Sequence, residues 1–284
     1  MGSEFKMSGE KESSMITSSA NAQMKYLVKL QEKGAARKED GVYVCEGKKM
    51  FAEVLSYAAK SVVKAYFAES FYEKWRGEFA GEVPFEIVSD AVFKEVSRTV
   101  TPQGVLAIVR QPDYSLEGIL AKAGRDAPCR LLILENLRDP GNLGTILRTA
   151  EGAGMAGIIL GRGSVDMFNP KVIRSTMGAI YRLPFVYKED FPGLLGVLKQ
   201  WGFVVYAAHL AGSVEYDTVE YNPRTALMVG NEANGLTEEA AAAADLCVRI
   251  PMEGELESLN AAVAAAVLMY ETYRQARAGR DFGI

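Results

Sequence analysis

Three polar segments of this chain contain side chains that could take part in chemistry. They read ENLRDPGNLGTILRTAEGAG at 135–154, LMVGNEANGL at 227–236 and IPMEGELESLNAAVAAAVLMYE at 250–271. Among them they carry one guanidinium, one carboxylate, one hydroxyl and two amides of interest: Arg148, Glu232, Ser258, Asn142 and Asn260. A guanidinium presents five donors, which suit a phosphate or a developing negative charge. These segments are therefore the first candidates for a functional site.

The polar residues of each segment come directly after the end of a predicted strand. The strands are the apolar runs Leu131–Leu134, Ala226–Val229 and Leu246–Ile250. Ligands of open α/β sheets bind at the carboxyl ends of the strands, which favours a site built from all three segments. A purely structural interpretation also exists for each segment, namely a turn, a turn and a capped helix. In it Asn142 is a cap, Ser258 is the N-cap or first residue of the last helix, and Asn260 lies in that helix's first turn.

Histidine and cysteine are too scarce for several kinds of site. The chain has one histidine, His209, and three cysteines far apart, at positions 45, 129 and 247. A site that needs two histidines, such as HExxH zinc chemistry, is therefore excluded, and no metal is expected. The absence of CxxC and the wide spacing give no support to a redox motif or a disulfide framework. His209 could serve in a triad, but the chain lacks a GxSxG nucleophile elbow.

Gly152, Gly154 and Gly157 form a GxGxxG pattern in the wrong context for a dinucleotide site. That fingerprint follows a strand and opens a helix, so that the pyrophosphate lies at the helix N-terminus. Here the glycines follow the helical segment Leu143–Ala150 and precede a predicted strand at Ile158–Leu160. We interpret them as a helix C-cap and turn, in which glycine supplies a positive φ.

The composition predicts a soluble globular protein of the cytoplasm. The chain is 49% hydrophobic and 24% charged, and no window approaches the run of about 18 apolar residues that a membrane span needs. The first residues, MGSEFKMSGEKESS, contain no apolar signal region, and MGSEF is typical of a cloning remnant. The lack of a disulfide framework favours a reducing compartment. No membrane partner is expected.

The net charge of −4 alone argues against a nucleic-acid partner, but its distribution changes that argument. Residues 1–130 carry a net charge of +1, and residues 131–284 carry −5. Within the first half, four cations recur every four residues on a predicted helix from Ser19 to Arg37: Lys25, Lys29, Lys33 and Arg37. This spacing places them on one helical face, where they form either a solvated face or a stripe that contacts phosphates.

The pattern of apolar residues predicts an α/β protein with two domains. Residues 1–19 are polar and are expected to be a disordered tail, and residues 111–128 are expected to be a linker. Between them, residues 20–110 alternate short strands and helices in a small α/β domain. Residues 129–284 alternate strands with helices and end in a long Ala-rich helix from Ser258 to about Ala278. This order predicts a mostly parallel sheet covered by helices on both faces.

The three polar segments, in their order along the chain, resemble the three motifs of the SpoU (TrmH) family of RNA ribose 2′-O-methyltransferases. The matching patterns are DPxNxGxxxRTA, GNExxGL and IPMxGxxxSLN, and KVIRSTMGAIYRLPF at 171–185 is also similar. Ala233 departs from the family, because many members have glycine there. NAQMKYLVKLQEKGAARKEDGVYVCEG and TVTPQGVLAIV resemble the ribosomal-protein-like RNA-binding domain that often precedes the catalytic one. The resemblance covers nearly the whole chain beyond residue 19.

The resemblance implies a fold and a partner that the patterns do not supply. The catalytic domain should be threaded into a deep trefoil knot, although chains are almost never knotted. The family binds S-adenosylmethionine at the knot and acts as a homodimer, which the wide apolar surface of the last helix would allow. A buried helix in a monomer would fit the same pattern.

The resemblance also implies a role for each candidate residue. S-adenosylmethionine would be held by residues of the second and third motifs: Leu227, Val229, Gly230, Asn231, Ile250, Met252, Gly254, Ser258 and Leu259. Glycine at 230 and 254 would permit close backbone approach. Arg148 maps onto the family's essential arginine. Because a guanidinium stays protonated, we assign it positioning and charge stabilisation rather than general-base catalysis. Asn142, Glu232, Ser258 and Asn260 would orient Arg148, the ribose and the cofactor.

The resulting hypothesis is methyl transfer from S-adenosylmethionine to a ribose 2′-hydroxyl of RNA, with 23S-type RNA of the large ribosomal subunit as the favoured substrate. The N-terminal domain is more typical of members that act on ribosomal RNA than of the tRNA enzymes, which often lack it. The alternatives are a tRNA ribose methyltransferase and a non-catalytic RNA-binding factor of ribosome assembly with the same fold. A nucleotide-dependent dehydrogenase is disfavoured by the misplaced GxGxxG.

Overall fold

The chain folds into two units, Met1–Gln111 and Pro112–Ile284. A computed structural model describes residues 15–75, 83–161, 163–210 and 214–281. The predicted tail therefore lies largely outside the described residues. Of its last part, Ile16 is buried and exchanges backbone hydrogen bonds with the end of a strand, at Ile87 and Ser89, both with N···O of 2.9 Å. The prediction of disorder is thus wrong at Ile16, because its apolar side chain is buried there.

The first unit is a small α/β fold around a mixed sheet. Its elements are α1 Ala22–Glu32, α2 Gly34–Asp40, β1 Val42–Glu46, α3 Lys48–Ala58, β2 Val62–Ala68, α4 Glu69–Trp75, β3 Phe85–Val88, α5 Asp90–Val96 and β4 Val105–Arg110. The strands lie in the order β1-β4-β2-β3. β4 is antiparallel to both β1 and β2, and β3 is parallel to β2. The predicted alternation of short strands and helices in this half is confirmed.

The predicted helix from Ser19 to Arg37 is two helices. α1 ends at Glu32, and Lys33, with φ −110° and ψ 108°, turns the chain into α2. Arg37 is only 4% exposed, and its Nη1 donates to the carbonyls of Leu30 (2.7 Å) and Gln31 (3.2 Å). These carbonyls belong to the last turn of α1, where backbone acceptors lack helical partners. Arg37 therefore closes the end of α1.

The second unit contains a larger sheet in which every strand pair is parallel. Its elements are α6 Leu116–Ala123, β5 Cys129–Leu134, α7 Pro140–Gly152, β6 Gly157–Gly161, α8 Pro170–Ser175, β7 Phe185–Lys188, α9 Phe191–Gln200, β8 Val204–Ala208, β9 Val214–Glu215, β10 Arg224–Val229, α10 Glu238–Ala243, β11 Leu246–Arg249 and α11 Ala261–Asp281. Seven described strands lie in the order β7-β6-β5-β10-β8-β11-β9. The expected α/β class with a parallel sheet is confirmed.

Helices cover both faces of this sheet, so its central strands are apolar on both sides. On one face, Leu131 and Ile133 of β5 pack in a core with residues of α6, α9 and α10. The alternate residues Leu132 and Leu134 are also fully buried and point to the opposite face, because side chains alternate along a strand. α11 packs against α7 and β10 on that other face. This layering explains the unbroken apolar runs that marked the strands in the sequence.

Residues 111–128, predicted to be a linker, contain the helix α6. Its N-cap Ser115 accepts a hydrogen bond from the backbone N–H of Gly118 at 3.0 Å, and Leu116, Ile119 and Leu120 are buried in the core of the second unit. Apart from Gln111, the segment therefore belongs to the second unit. The prolines and charged residues of this segment are typical of a linker, so the sequence pattern did not reveal the short amphipathic helix.

Candidate functional site

The three polar segments meet at the carboxyl edge of the parallel sheet, where they follow β5, β10 and β11. β5 and β10 are neighbours, and β11 is separated from β10 by β8. Since all strands run in the same direction, their carboxyl ends lie at one edge. The expectation that the segments share an edge is confirmed by this strand order.

The first segment leaves β5 and opens α7. Asn136 has φ 53°, a left-handed conformation that asparagine tolerates better than most residues. Asp139 is the N-cap of α7, since its Oδ1 accepts the backbone N–H of Asn142 at 2.7 Å, and Pro140 follows in the first turn. The interpretation of Asn142 as a cap is therefore wrong. Because Asp139 performs the capping, the Asn142 side chain is available for other partners.

The second segment leaves β10 in a tight loop. Asn231 and Gly235 exchange two backbone hydrogen bonds of 2.9 Å, and Gly235 has φ 67°. A Cβ added to Gly230 would overlap the backbone of Gly235 and Leu236, so the loop can close on itself only with glycine at 230. Asn231 fixes the loop to the neighbouring segment by donating from Nδ2 to the carbonyl of Asn136 at 2.8 Å.

Glu232 joins this loop to the start of α7. Its Oε1 accepts from the backbone N–H of Asp139 (2.9 Å) and from Nδ2 of Asn142 (3.2 Å), and its Oε2 accepts from the backbone N–H of Arg138 (3.2 Å). Partial burial would raise the pKa of Glu232. The hydrogen bonds from Asp139, Arg138, Asn142 and its own backbone outweigh burial and hold the pKa below its usual value. The carboxylate is thus an ionised acceptor that positions α7.

Asn142 extends this contact to the third segment. Its Oδ1 accepts from Nδ2 of Asn260 at 3.0 Å, and Oδ1 of Asn260 accepts from the backbone N–H of Ala262 at 2.8 Å and of Val263 at 3.3 Å. Asn260 is therefore the N-cap of α11, and the prediction that Ser258 begins that helix is wrong. Glu232, Asn142 and Asn260 form a chain of hydrogen bonds that links all three polar segments, which we call the amide relay.

A cavity of about 310 Å³ lies between the second and third segments. Seven of the residues predicted to hold the cofactor line it: Val229, Gly230, Asn231, Ile250, Met252, Ser258 and Leu259. Leu227 does not, because it is fully buried inside β10. Gly254 does not either, and a Cβ added there would meet no described atom within 4 Å. Close backbone approach therefore requires glycine at 230 but not at 254.

The cavity also includes residues that the sequence reasoning missed. Ala208 ends β8, and His209 and Leu210 follow it; β8 lies between the two strands that lead into the second and third segments. No polar cluster marks this strand end, so only the strand order could have revealed it. Nε2 of His209 lies 3.7 Å from Oε1 of Glu238.

The composition of the cavity fits a nucleoside with a polar tail. Apolar side chains such as Val248, Ile250, Met252 and Leu268 provide a surface for a flat base. Backbone groups of the loop after β10 and the hydroxyl of Ser258 provide polar partners. An apolar pocket with a few polar groups at the carboxyl ends of parallel strands is typical of a cofactor site. The residues present therefore fit S-adenosylmethionine. Among the described residues, no group of side chains could hold a metal ion.

The structure does not bring Arg148 into the amide relay. Arg148 is exposed on α7 and has no hydrogen bond or ion pair with the described residues. It lies six residues beyond Asn142, which places it about 9 Å further along the helix. It does not line the cavity. Its guanidinium is therefore free to meet a ligand from outside this unit.

Arg148 is predicted to contact RNA together with four cations of the first unit, and three of those four remain candidates. Lys25, Lys29 and Lys33 are exposed on or at the end of α1. Arg37 does not belong with them, because its buried guanidinium is engaged by the carbonyls at the end of α1. The regular four-residue spacing was misleading at Arg37, since α1 ends before it.

Comparison with protein families matches both units. Residues 130–270 match the model of the SpoU rRNA methylase family, and residues 21–107 match that of the MRM3-like substrate-binding domain. The chain is 31% identical over 255 residues to the 23S rRNA (guanosine(2553)-2′-O)-methyltransferase RlmP of Bacillus subtilis, covering 90% of this chain and 97% of that protein. The chain belongs to the SpoU rRNA methylase family. The resemblance seen in its motifs is thereby confirmed.

Solved structures of this SpoU family agree with the fold. An rRNA methyltransferase from Sinorhizobium meliloti with AdoMet bound is 30% identical, with a TM-score of 0.78 and coverage of 92% of this chain and 97% of that one. The SpoU methyltransferase AviRb from Streptomyces viridochromogenes, 24% identical with a TM-score of 0.81, covers 90% and 98% and shows the same fold. This SpoU protein is an S-adenosylmethionine-dependent methyltransferase. No helix among its described residues is long and apolar enough to span a membrane.

Proposed function

We propose that this SpoU methylase transfers a methyl group from S-adenosylmethionine to a ribose 2′-hydroxyl of large-subunit ribosomal RNA. The observation that carries the proposal is the amide relay of Glu232, Asn142 and Asn260 beside the apolar cavity. The relatives support the substrate class, because the Bacillus subtilis protein is named for 2′-O-methylation of 23S rRNA.

The cofactor would lie in the cavity between the loop after β10 and residues 250–259. When bound, S-adenosylmethionine supplies a methyl group already activated on a sulfonium sulfur. The chain must therefore align the ribose and help the hydroxyl lose its proton. Gly230 and Asn231 shape one side of the cavity, and Ile250, Met252 and Leu259 shape the other.

Glu232 acts as a positioning residue. Backbone and amide N–H groups occupy both of its oxygens, and its lowered pKa keeps it ionised near neutral pH. A carboxylate held in this way is a poor proton acceptor. Its contribution is to fix the start of α7, and with it Asn142, against the loop that shapes the cavity.

Arg148 meets the RNA. Its guanidinium offers five donors and no acceptor, so it does not accept the proton of the 2′-hydroxyl. It stabilises the negative charge that develops on the ribose oxygen and binds a neighbouring phosphate. An oxygen of the substrate phosphate takes the proton in this proposal.

Four further features belong to the same proposal. The protein acts as a homodimer, which is supported by Val263 (49% exposed) and Tyr270 (48% exposed) on α11, a helix that packs on α7. The C-terminal segment is threaded as a trefoil knot, which is supported by the cavity that residues 229–236 and 250–259 share. The protein acts in the cytoplasm, where ribosomal RNA is its substrate. The first unit holds that RNA through Lys25, Lys29 and Lys33.

Methyl transfer from labelled S-adenosylmethionine to an unmodified large-subunit rRNA transcript tests the proposal. We expect label at one ribose, detected as a bond resistant to alkaline cleavage, and cofactor binding by calorimetry. Label on tRNA instead would make the protein a tRNA enzyme. Cofactor and RNA binding without any label would indicate a non-catalytic RNA-binding factor. Light scattering would show twice the chain mass for the homodimer.

A further inference from the structure

One face of α7 lies against the chain segment that runs from α8 to Arg182. A Cβ added to Gly144 would overlap the Cβ of Ser175, and it would lie 3.1 Å from the carbonyl oxygen of Val172. Two turns further along α7, Oε1 of Glu151 accepts from Nε of Arg182 at 2.8 Å. Gly144, Arg148 and Glu151 are four and three residues apart, so they share this face. Arg148 therefore lies between the two contacts with the segment.

Arg174 lies on this segment, directly before Ser175, and its charge is uncompensated. The side chain is half-buried, and Nη1 is buried without a hydrogen-bond partner. Nowhere in the described part of the chain does Arg174 meet a carboxylate or another acceptor for its side chain. Burying a charged donor without a partner costs free energy, and such groups are rare in folded proteins. An anion that folding does not supply would offset this cost.

Two further cations accompany Arg174. Lys171 is exposed three residues earlier, and Oγ of Ser175 donates to its carbonyl at 2.8 Å, so Lys171, Arg174 and Ser175 share one side of α8. Lys171 and Arg148 also have no ion-pair partner among the residues that the structure describes. Three free cations thus border one helix contact, although residues 131–284 carry a net charge of −5.

The end of α8 is held in place before any ligand arrives. Met177 and Gly178 have φ values of 51° and 94°, and this left-handed turn sends the chain back toward α7. Oγ1 of Thr176 donates to the carbonyl of Ile173 at 2.8 Å, and Arg182 closes the segment through Glu151. A guanidinium on a fixed backbone loses less conformational entropy when it binds. The fixed backbone around Arg174 therefore favours a role of this side chain in binding a ligand rather than in stabilising the fold.

We propose that Arg174, with Lys171, binds a backbone phosphate of the substrate RNA and so positions the target ribose beside Arg148. The proposal rests on the RNA methyltransferase function and adds a positioning residue to it. RNA suits the cluster because none of its three cations pairs with a carboxylate of the described residues, and a polyanion supplies the missing charge. A second copy of the chain is a less suitable partner, because it would bring the same three positive charges to the contact.

The test compares Arg174→Gln with the wild type in binding and methylating an unmodified large-subunit rRNA transcript. We expect the Kd and KM for RNA to rise about tenfold, as for the loss of one charge-assisted hydrogen bond. The slope of log Kd against log salt concentration should fall by about 0.7–1, which is the signature of one lost phosphate contact. The Kd for S-adenosylmethionine should stay unchanged. Arg174→Lys should restore most of the salt slope.

Arg125→Gln is the matched control. Arg125 is exposed and precedes β5, at the amino end of the sheet, so its loss should leave RNA affinity and salt slope unchanged. A wild-type salt slope for Arg174→Gln would overturn the proposal. The proposal would also be overturned if Arg174→Gln lost the mass of a dimer while the salt slope of RNA binding stayed unchanged. Arg174 would then serve a contact between two copies of the chain. If the wild type itself neither bound nor methylated RNA, the proposed function would fail rather than this inference.

Discussion

Nδ2 of Asn142 lies 3.2 Å from Oε1 of Glu232, ninety residues further along the chain. The contact joins the first turn of α7 to the loop after β10. Asn142 passes the connection to Asn260, 118 residues away, through a second hydrogen bond of 3.0 Å. Three segments that are remote in sequence are thus fixed relative to one another by two side-chain amides and one carboxylate.

Glu232 should make the site sensitive to acid. Its pKa is lower in the folded protein than the ordinary value of 4.5, because N–H groups donate to the carboxylate. The stabilisation is therefore fully present above the unfolded pKa and is lost as the pH falls through the folded pKa. We expect the melting temperature of the wild type to exceed that of Glu232→Gln at pH 7. The two should converge at acid pH, below the pKa of the folded protein.

Thermal unfolding of both proteins across this pH range measures the effect. Glu238→Gln serves as a control, since its carboxylate is 93% exposed. A gap between wild type and Glu232→Gln that is constant with pH would show that the charge of Glu232 does not act in this way.

Asn260 performs two tasks that two substitutions separate. Asn260→Ala removes the N-cap of α11 and the donor to Asn142, so it should lower the free energy of unfolding by about 1 kcal/mol and slow methyl transfer. Asn260→Asp keeps a capping oxygen but places a carboxylate against Oδ1 of Asn142. It should therefore keep stability while losing activity. Denaturant unfolding and single-turnover rates measure the two effects, and equal rates for Asp and wild type would reduce Asn260 to a cap.

Arg148→Ala should abolish most activity without harming the fold. Arg148 is exposed and has no hydrogen bond or ion pair with the described residues, so its removal should change stability by less than about 0.5 kcal/mol. Loss of a donor that stabilises developing charge costs about 10²–10³ in kcat. The Kd for S-adenosylmethionine should not change. Near-normal single-turnover methyl transfer by this variant would contradict the role assigned to Arg148.

Gly230→Ala and Gly254→Ala form a matched pair. A Cβ at 230 would overlap the backbone of Gly235 and Leu236, whereas one at 254 would meet no described atom within 4 Å. We expect Gly230→Ala to weaken cofactor binding at least tenfold, because the loop that lines the cavity must open. Gly254→Ala should bind normally. Calorimetric titration with S-adenosylmethionine measures both, and equal affinities would show that the loop adapts without cost.

Substitutions of Arg37 and Lys29 should have different effects on stability and RNA binding, although both residues belong to the series of cations spaced by four residues. Arg37→Gln removes hydrogen bonds to two carbonyls at the end of α1 and should destabilise the protein by about 1–3 kcal/mol. Lys29→Gln removes an exposed charge and should leave stability unchanged while lowering the salt slope of RNA binding by about 0.7–1. Unfolding curves and salt-dependent RNA binding test the pair. An altered salt slope for an otherwise stable Arg37→Gln protein would return Arg37 to the RNA surface.

The limits of sequence reasoning are clearest at helix ends. Apolar runs located β5, β10 and β11 well, because strands buried on both faces must be apolar throughout. The alternative structural interpretation of the sequence makes Asn142 and Ser258 caps, but Asp139 and Asn260 cap the helices. Several capping residues lie next to each other at both helix starts. Only the folded backbone decides which side-chain oxygen reaches the free N–H groups.

The sequence by itself determined the α/β class, the polar segments at the strand ends and the family, because each depends on local residue order. The tertiary structure decided which of these side chains meet. The parallel strand order brings β8 between β10 and β11 and so adds His209 to the cavity. The tertiary structure also joins Glu232 to Asn142 and Asn260. It leaves Arg148 and Arg174 without anionic partners among the described residues. These relationships depend on distances between residues far apart in the chain, which local patterns do not encode.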